Sequence, residues 1–234
     1  MKILIIGAVA AGTSAAAKAR RNNEDAQIKI FEMDNEISYS ACGLPYYIGG
    51  EITNREQLVP RDAAFFKSKY NVDICTGHQV LRINPGEKSI EVKNLSTSEV
   101  FTEHYDKLII STGATPVLPP IKGIDKKNVF ILRNVGSADA IKNYISQSKP
   151  QKALVIGSGF IGLEMVENLK TIGMEVTVVE VEDHLMKPLD KDVSVYLQDT
   201  LIENGVKIYL NDFVQELEGD ELAVKAVIKS GLTV

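Results

Sequence analysis

Two stretches of this chain repeat one pattern: an apolar strand, a glycine-bearing turn, a helix, and a second strand that ends in glutamate. In the first, Lys2–Ile6 runs into Gly7-Ala8-Val9-Ala10-Ala11-Gly12, an alanine-rich helix reaches Arg21, and Ile28–Phe31 ends in Glu32. In the second, Ala153–Ile156 leads to Gly157-Ser158-Gly159-Phe160-Ile161-Gly162, a helix spans Gly159–Ile172, and Glu175–Val179 ends in Glu180. The turns begin at positions 7 and 157, so the repeat lies 150 residues apart, at the scale of a domain. Short continuous apolar runs bounded by glycine read as buried parallel strands, and strand–helix–strand at this spacing reads as a βαβ unit.

The second turn is a full G-x-G-x-x-G. Its first glycine permits the turn, its second lets a pyrophosphate approach the backbone, and its third lets helix pack on strand. The helix N-terminus adds N–H groups and positive partial charge. Gly157, Gly159 and Gly162 are therefore predicted to hold a dinucleotide, the alternative being an ordinary glycine-bearing turn. Glu180 is placed for a ribose 2′-hydroxyl, and the next cation is Lys187. That favours NADH over NADPH, whose 2′-phosphate would meet a carboxylate. The first turn keeps Gly7 and Gly12 but carries Val9 at the middle position. Alone it could be a structural βαβ turn; Glu32 makes it readable as a second adenosine-ribose site.

Between the units, Val72–Val80, Lys88–Val92 and Val100–Tyr105 read as short strands with polar turns such as Asn84-Pro85-Gly86. Lys107–Ile110 is another apolar strand, and Pro116, Pro119, Pro120 and Gly123 form a breaker-rich crossing. After Glu180, Lys191–Asn204 reads as a helix, with Val206–Leu210 and Leu222–Lys229 as strands. The expected fold class is α/β: two Rossmann-like dinucleotide-binding domains, three-layered around parallel sheets with a β-meander crossover. The expected domains are 1–113 and 114–234, each incomplete.

With 44% apolar and 24% charged residues the chain has the composition of a soluble globular protein. A net charge of −5 gives no electrostatic reason to expect nucleic acid or an anionic membrane as partner. No apolar run approaches a membrane span, the run after Met1-Lys2 reads as a strand rather than a signal peptide, and the three histidines are isolated, so a cytoplasmic, metal-free protein is expected. There are two cysteines. Cys75, in a strand-like run, reads as a small core residue. Cys42 stands before Gly43-Leu44-Pro45, which opens a helix. A cysteine at a helix N-terminus has its thiolate stabilised and serves as nucleophile and redox centre. Without a second cysteine in C-x-x-C spacing, its partner is expected to be an external thiol or an oxygen species.

The turn Gly7–Gly12, the segment Ser38-Tyr39-Ser40-Ala41-Cys42-Gly43-Leu44-Pro45-Tyr46-Tyr47-Ile48-Gly49-Gly50, Thr112–Pro116 and Gly157–Glu164 occur in an order that resembles a known family. It is that of the FAD-dependent pyridine nucleotide–disulfide oxidoreductases, in the single-cysteine branch and most similar to members acting on coenzyme A disulfide. The resemblance implies FAD at Gly7, Val9, Gly12 and Glu32, with Thr112 and Gly113 where the chain leaves that domain. It implies that Phe160, Ile161 and Glu164 face the nicotinamide. Cys42 would form a mixed disulfide with coenzyme A, with Ser38, Ser40, Arg20, Arg21 and Arg61 around it. A basic helix end is also simply a solvated face. Persulfide reduction and NADH oxidase or peroxidase chemistry would use the same cysteine, while Gly43-Leu44-Pro45-Tyr46-Tyr47 favours the coenzyme A reading. The family's chains run to about twice this length and form homodimers. The resemblance therefore implies a piece of a longer reductase, and a nucleotide-binding remnant without turnover is the reading from another class.

Overall fold

The computed structural model describes residues Met1–Val234. In chain order the elements are β1 (Lys2–Ile6), α1 (Ala11–Asn22), β2 (Gln27–Phe31), α2 (Leu44–Gly49), α3 (Ala63–Tyr70), β3 (Val72–Cys75) and β4 (His78–Asn84). Then come β5 (Ser89–Asn94), β6 (Val100–His104), β7 (Lys107–Ile110), α4 (Val135–Ser148), β8 (Lys152–Ile156) and α5 (Phe160–Thr171). The chain closes with β9 (Glu175–Val179), α6 (Lys191–Glu203), β10 (Lys207–Tyr209), β11 (Val214–Glu218) and β12 (Lys225–Ile228). Two compact units result: Met1–Ser40 with Arg55–Thr115, and Ala41–Asn54 with Pro116–Val234.

In the first unit a parallel sheet has the order β3-β2-β1-β7. Four of the five residues of β1 are buried, as a strand covered on both faces requires. The period-2 alternation of strands sends Ile3, Ile5, Ile28 and Ile30 into one cluster with Ala16 of α1 and Phe66 of α3. Leu4 and Phe31 enter the other, with Ile90 and Val92 of β5. That second face is covered by the antiparallel sheet β4-β5-β6. The layers are therefore helix, parallel sheet and meander. Phe31 lies with its ring centroid 6.2 Å from those of His78 and Phe101. At the rim, Glu103 of β6 receives the ammonium groups of Lys2 and Lys29. Burial pushes the Glu103 carboxyl up, but the two lysines outweigh it and hold it below the ordinary glutamate value.

The second unit repeats the plan with a parallel sheet β10-β9-β8. One apolar cluster joins Val179 and Leu154 of this sheet to Val214, Leu217, Ala226 and Ile228 of the β11–β12 ribbon. Helix α5 packs on β8, β9 and α2, and α2 also packs on α4. The crossing segment is tied in by a short parallel bridge between Lys122 and Glu216.

Several sequence expectations need correction. Val72–Val80 is not one strand: Gly77, at φ 65°, turns the chain from β3 in the parallel sheet to β4 in the meander. β4 continues through Asn84, and Leu222–Lys229 contracts to β12. α3, α4 and β11 were not foreseen. α4 carries a readable start, a capping box in which Ser137 N–H donates to Asn134 Oδ1 at 2.9 Å and Ser137 Oγ accepts from Asn134 N–H at 2.9 Å. No helix is long and apolar enough to cross a membrane.

Phe31 is 1% exposed and serves the interface between sheet and meander. Replacing it with alanine is expected to cost about 3–5 kcal/mol of unfolding free energy, read from urea titration.

Candidate functional site

Each parallel sheet ends in the same local construction. After β1, Gly7 adopts φ 98°, and after β8, Gly157 adopts φ 95°, a region that L side chains rarely enter. The helix then folds back onto the turn. A side chain at Gly12 would place its Cβ 1.8 Å from the Gly7 carbonyl oxygen, and one at Gly162 would stand 2.2 Å from that of Gly157. These third glycines are demanded by helix–turn packing. Gly159 differs, because a Cβ there would meet nothing within 4 Å. The space beside it is open for a ligand's backbone approach, whereas in the first loop Val9 stands at the corresponding position.

The two carboxylates close the constructions in parallel ways. Ala8 N–H donates to Glu32 Oε2 at 2.7 Å, and Asp34 N–H donates to Oε1 at 3.0 Å. Ser158 N–H donates to Glu180 Oε2 at 2.6 Å, and Glu182 N–H donates to Oε1 at 3.0 Å. Both glutamates are 8% exposed. Burial pushes the Glu180 carboxyl up, but Ser158 Oγ and the N–H groups of Glu182, Ser158 and Val181 together hold it below the ordinary value. An ionised carboxylate can accept about four hydrogen bonds. Glu32, with two, keeps capacity for ribose hydroxyls. Glu180 is already met by four donors, so a ribose hydroxyl there would take the place of one of them, Ser158 Oγ being the one that can rotate away.

The helix starts add a second sign of anion readiness. Neither α1 nor α5 has a side-chain cap or an acidic residue in its first turn. By contrast α3 is capped by Asp62 and α4 by Asn134. Uncapped N–H groups and the positive helix end suit a pyrophosphate. The residues present therefore fit a dinucleotide in each unit. Gly7, Gly12 and Glu32, with Val9 alongside, would hold FAD in the first, and Gly157, Gly159, Gly162 and Glu180 a pyridine nucleotide in the second.

Sequence reasoning missed the residues that brace these loops. Ser111 Oγ donates to the Ile6 carbonyl at 2.7 Å, and the Ser111 carbonyl lies where a Gly7 side chain would go. Thr13 Oγ1 donates to the Val9 carbonyl at 2.7 Å. Ser111 precedes the Thr112-Gly113 pair that the sequence did single out; both are exposed, and Gly113 sits at φ 68°. Ser38, at φ 49°, donates its N–H to the Ala8 carbonyl at 2.9 Å, which puts it beside the first loop. Ser40 N–H donates to Leu58. Arg20 is engaged with backbone carbonyls of Tyr70, Asn71, Asn23 and Glu24. Arg21 is exposed, and Arg61 is exposed with its guanidinium 5.6 Å from the Phe65 ring centroid.

In the second unit, Phe160 and Ile161 are 64% and 56% exposed at the start of α5, with Glu164 one turn on and half-buried. Cys42 is exposed in a 3₁₀ turn, Ala41–Gly43, that runs directly into α2. Tyr46 is held above the ordinary phenol value by Glu167 first, then by burial, Glu164, Glu51 and Cys42, so α2 faces the carboxylates of α5. Cys75 is the contrast. It is half-buried against the cluster of Leu4 and Phe31, and burial pushes its thiol up. No group of three or more His, Cys, Asp or Glu side chains is arranged to hold a metal ion.

Two glycine-loop βαβ units, each closed by a carboxylate, define a class of α/β protein built to hold two dinucleotides. The pyridine nucleotide-disulphide oxidoreductase family profile matches residues 1–234, and the chain belongs to that family. It is 36% identical over 228 residues to a coenzyme A disulfide reductase of Staphylococcus haemolyticus, covering 97% of this chain and 51% of that protein. Among solved structures it is similar to reduced Bacillus anthracis CoADR-RHD, with 43% identity and a TM-score of 0.96, covering 100% of this chain and 42% of that one. A NAD-dependent persulfide reductase from A. fulgidus is 36% identical with a TM-score of 0.95, covering 100% of this chain and 44% of that one. The chain thus spans about half the length of the curated relatives it matches.

Because the folded Glu180 carboxyl lies below its ordinary 4.5, the stability it supplies is complete above that pH and is lost as pH falls through the depressed value. Glu180→Gln is expected to flatten this acid limb, measured as urea midpoints between pH 6 and pH 3. An unchanged limb would mean that the carboxylate bonds are not formed in solution.

Proposed function

We propose that the protein is a flavin-dependent oxidoreductase that passes electrons from NADH to a low-molecular-weight disulfide, coenzyme A disulfide foremost, through Cys42. The observation that carries this reading is an exposed, solitary cysteine in the turn that opens the helix packed against α5, the helix that springs from the second glycine loop. The similarity to a coenzyme A disulfide reductase supports the choice of substrate. FAD, when bound by the first unit, would relay electrons from the nicotinamide to the Cys42 disulfide.

The chain's own residues supply the rest. The Cys42 thiolate attacks one sulfur of the disulfide, forms Cys42–S–S–CoA and expels one coenzyme A thiolate. Reduction by two electrons then returns the Cys42 thiolate and releases the second thiol. Ser38 and Ser40 are the hydroxyl-bearing candidates for contacts with coenzyme A. Exposed Arg21 and Arg61 are the cations for its phosphates. Phe160 and Ile161, standing out from α5, give the nicotinamide an apolar face, with Glu164 beside it. In the second loop Glu180 receives the ribose hydroxyls and repels a 2′-phosphate.

Persulfide reduction is the second reading, supported by the likeness to the A. fulgidus persulfide reductase. There Cys42 would attack a sulfane sulfur instead.

Incubation with coenzyme A disulfide is expected to add one coenzyme A at Cys42, reversibly by reductant, and Cys42→Ser is expected to add none at that position by peptide mass mapping. A sulfur increment from coenzyme A persulfide, without capture of coenzyme A, would replace the disulfide reading with the persulfide one. In equilibrium titrations NADPH is expected to bind about tenfold more weakly than NADH, a difference of about 1.4 kcal/mol. Equal affinities would overturn the role given to Glu180.

A further inference from the structure

α2 is only six residues long, Leu44–Gly49. A helix of one and a half turns holds few internal hydrogen bonds, and its last carbonyls have no partner within it. Its shape and placement must come from outside. From α4, that support converges on one residue, Tyr47. Its carbonyl accepts from Lys142 Nζ at 2.5 Å, and the same ammonium stands 3.9 Å from the centroid of its ring. Its phenol donates to Asp139 Oδ1 at 3.1 Å. Asp139 and Lys142 are three apart on α4 and so share a face of that helix.

The grip is enclosed. Tyr47 is 8% exposed, and burial pushes the Lys142 ammonium down from the ordinary lysine value against the pull of Asp139. Two residues further, Gly49 is pressed on α5, where a Cβ would stand 2.2 Å from Asn168 Oδ1. Gly50 then leaves the helix at φ 88°. The C-terminal end of α2 is thereby fixed by α4 and α5. Cys42 occupies the exposed opposite end, five residues before Tyr47.

We propose that Lys142 and Asp139 are positioning residues for Cys42, acting through Tyr47. Holding backbone, ring and phenol of one residue from a single helix face fixes both the depth and the roll of α2. Over about 1.5 Å of rise per residue, a helix this short moves as one rigid piece, so a shift at Tyr47 is carried to the cysteine. Thiol–disulfide exchange needs the attacking sulfur aligned with the disulfide, and a misplacement near 1 Å can cost on the order of a hundredfold in rate. Lysine suits the task through its slender ammonium on a long stem, which reaches a carbonyl and a ring face together. The inference rests on the reading of Cys42 as the reacting thiol.

The test compares two reactions of Cys42 in the whole protein: exchange with coenzyme A disulfide, which needs orientation, and alkylation by iodoacetamide, which needs little. Lys142→Met is expected to slow the exchange about tenfold while changing alkylation less than about twofold. Lys142→Arg, which keeps the charge and the ring contact, is expected to restore most of the rate. Asp139→Asn and Tyr47→Phe should each show a smaller split of the same sign without disturbing the grip on the Tyr47 carbonyl. NADH affinity is expected to be unchanged in all four. Equal slowing of both reactions, or none, would overturn the positioning role. If the unaltered protein does not take up coenzyme A, the substrate reading fails by itself. Ellman's reagent then replaces coenzyme A disulfide, and the same split between exchange and alkylation supports the clamp whereas its absence refutes it.

Discussion

The hydrogen bond from the amide of the residue after each turn glycine to the glutamate that ends the neighbouring strand, Ala8 to Glu32 and Ser158 to Glu180, organises both halves of this protein. It ties the loop to the adjacent strand end at the point where a nucleotide would enter. A buried carboxylate is costly unless its oxygens are satisfied, and here the loop amides satisfy them. The loop in turn can carry that amide inward only because Gly7 and Gly157 take positive φ. Turn, helix start and carboxylate are therefore one device. The N-termini of α1 and α5 carry no side-chain cap, which leaves their N–H groups open for an anion.

The cysteine depends on a different kind of support. Its helix is too short to be stable alone and belongs to the second unit, although its sequence lies within the stretch that otherwise builds the first. Packing on α4 and α5 connects α2 and the cysteine at its start to the helix that begins at the second glycine loop. Cys42 and the second glycine loop thus belong to one compact body. Cys75 shows the alternative fate of a thiol: set in β3 beside the core, it is pushed up by burial and left to fill space.

The repeated βαβ units were legible because their signals are local. Apolar runs, the glycine spacing and the terminal glutamate all lie within about thirty residues, and the structure places β1, β2, β8 and β9 where those signals put them. The break between β3 and β4 was not legible, because Val72–Val80 is almost evenly strand-like and one glycine decides the turn. β11 was missed for a related reason: its residues alternate weakly, and it exists by pairing with β12 across a register shift. α4 has a capping box at Asn134 and Ser137, but its apolar positions are sparse and it follows a breaker-rich run, so its helical period is weak in the sequence. Arg20 looked like a free cation at a helix end; its guanidinium is taken by backbone carbonyls from the turn after α1 and the α3–β3 corner, a partnership no linear spacing encodes.

By itself the sequence determined that the chain would form two glycine-loop α/β units with a carboxylate at the end of each unit's second strand and one cysteine at a helix start. Those features rest on backbone conformations and short-range periodicities that particular residues either allow or forbid. Only the tertiary structure decided that the cysteine's helix joins the second unit, that Tyr47 is held by Lys142 and Asp139, and that Ser111 braces the first loop. Each of those outcomes depends on which surfaces fit against each other after the local elements exist, and close packing between segments far apart in the chain is not written in their spacing.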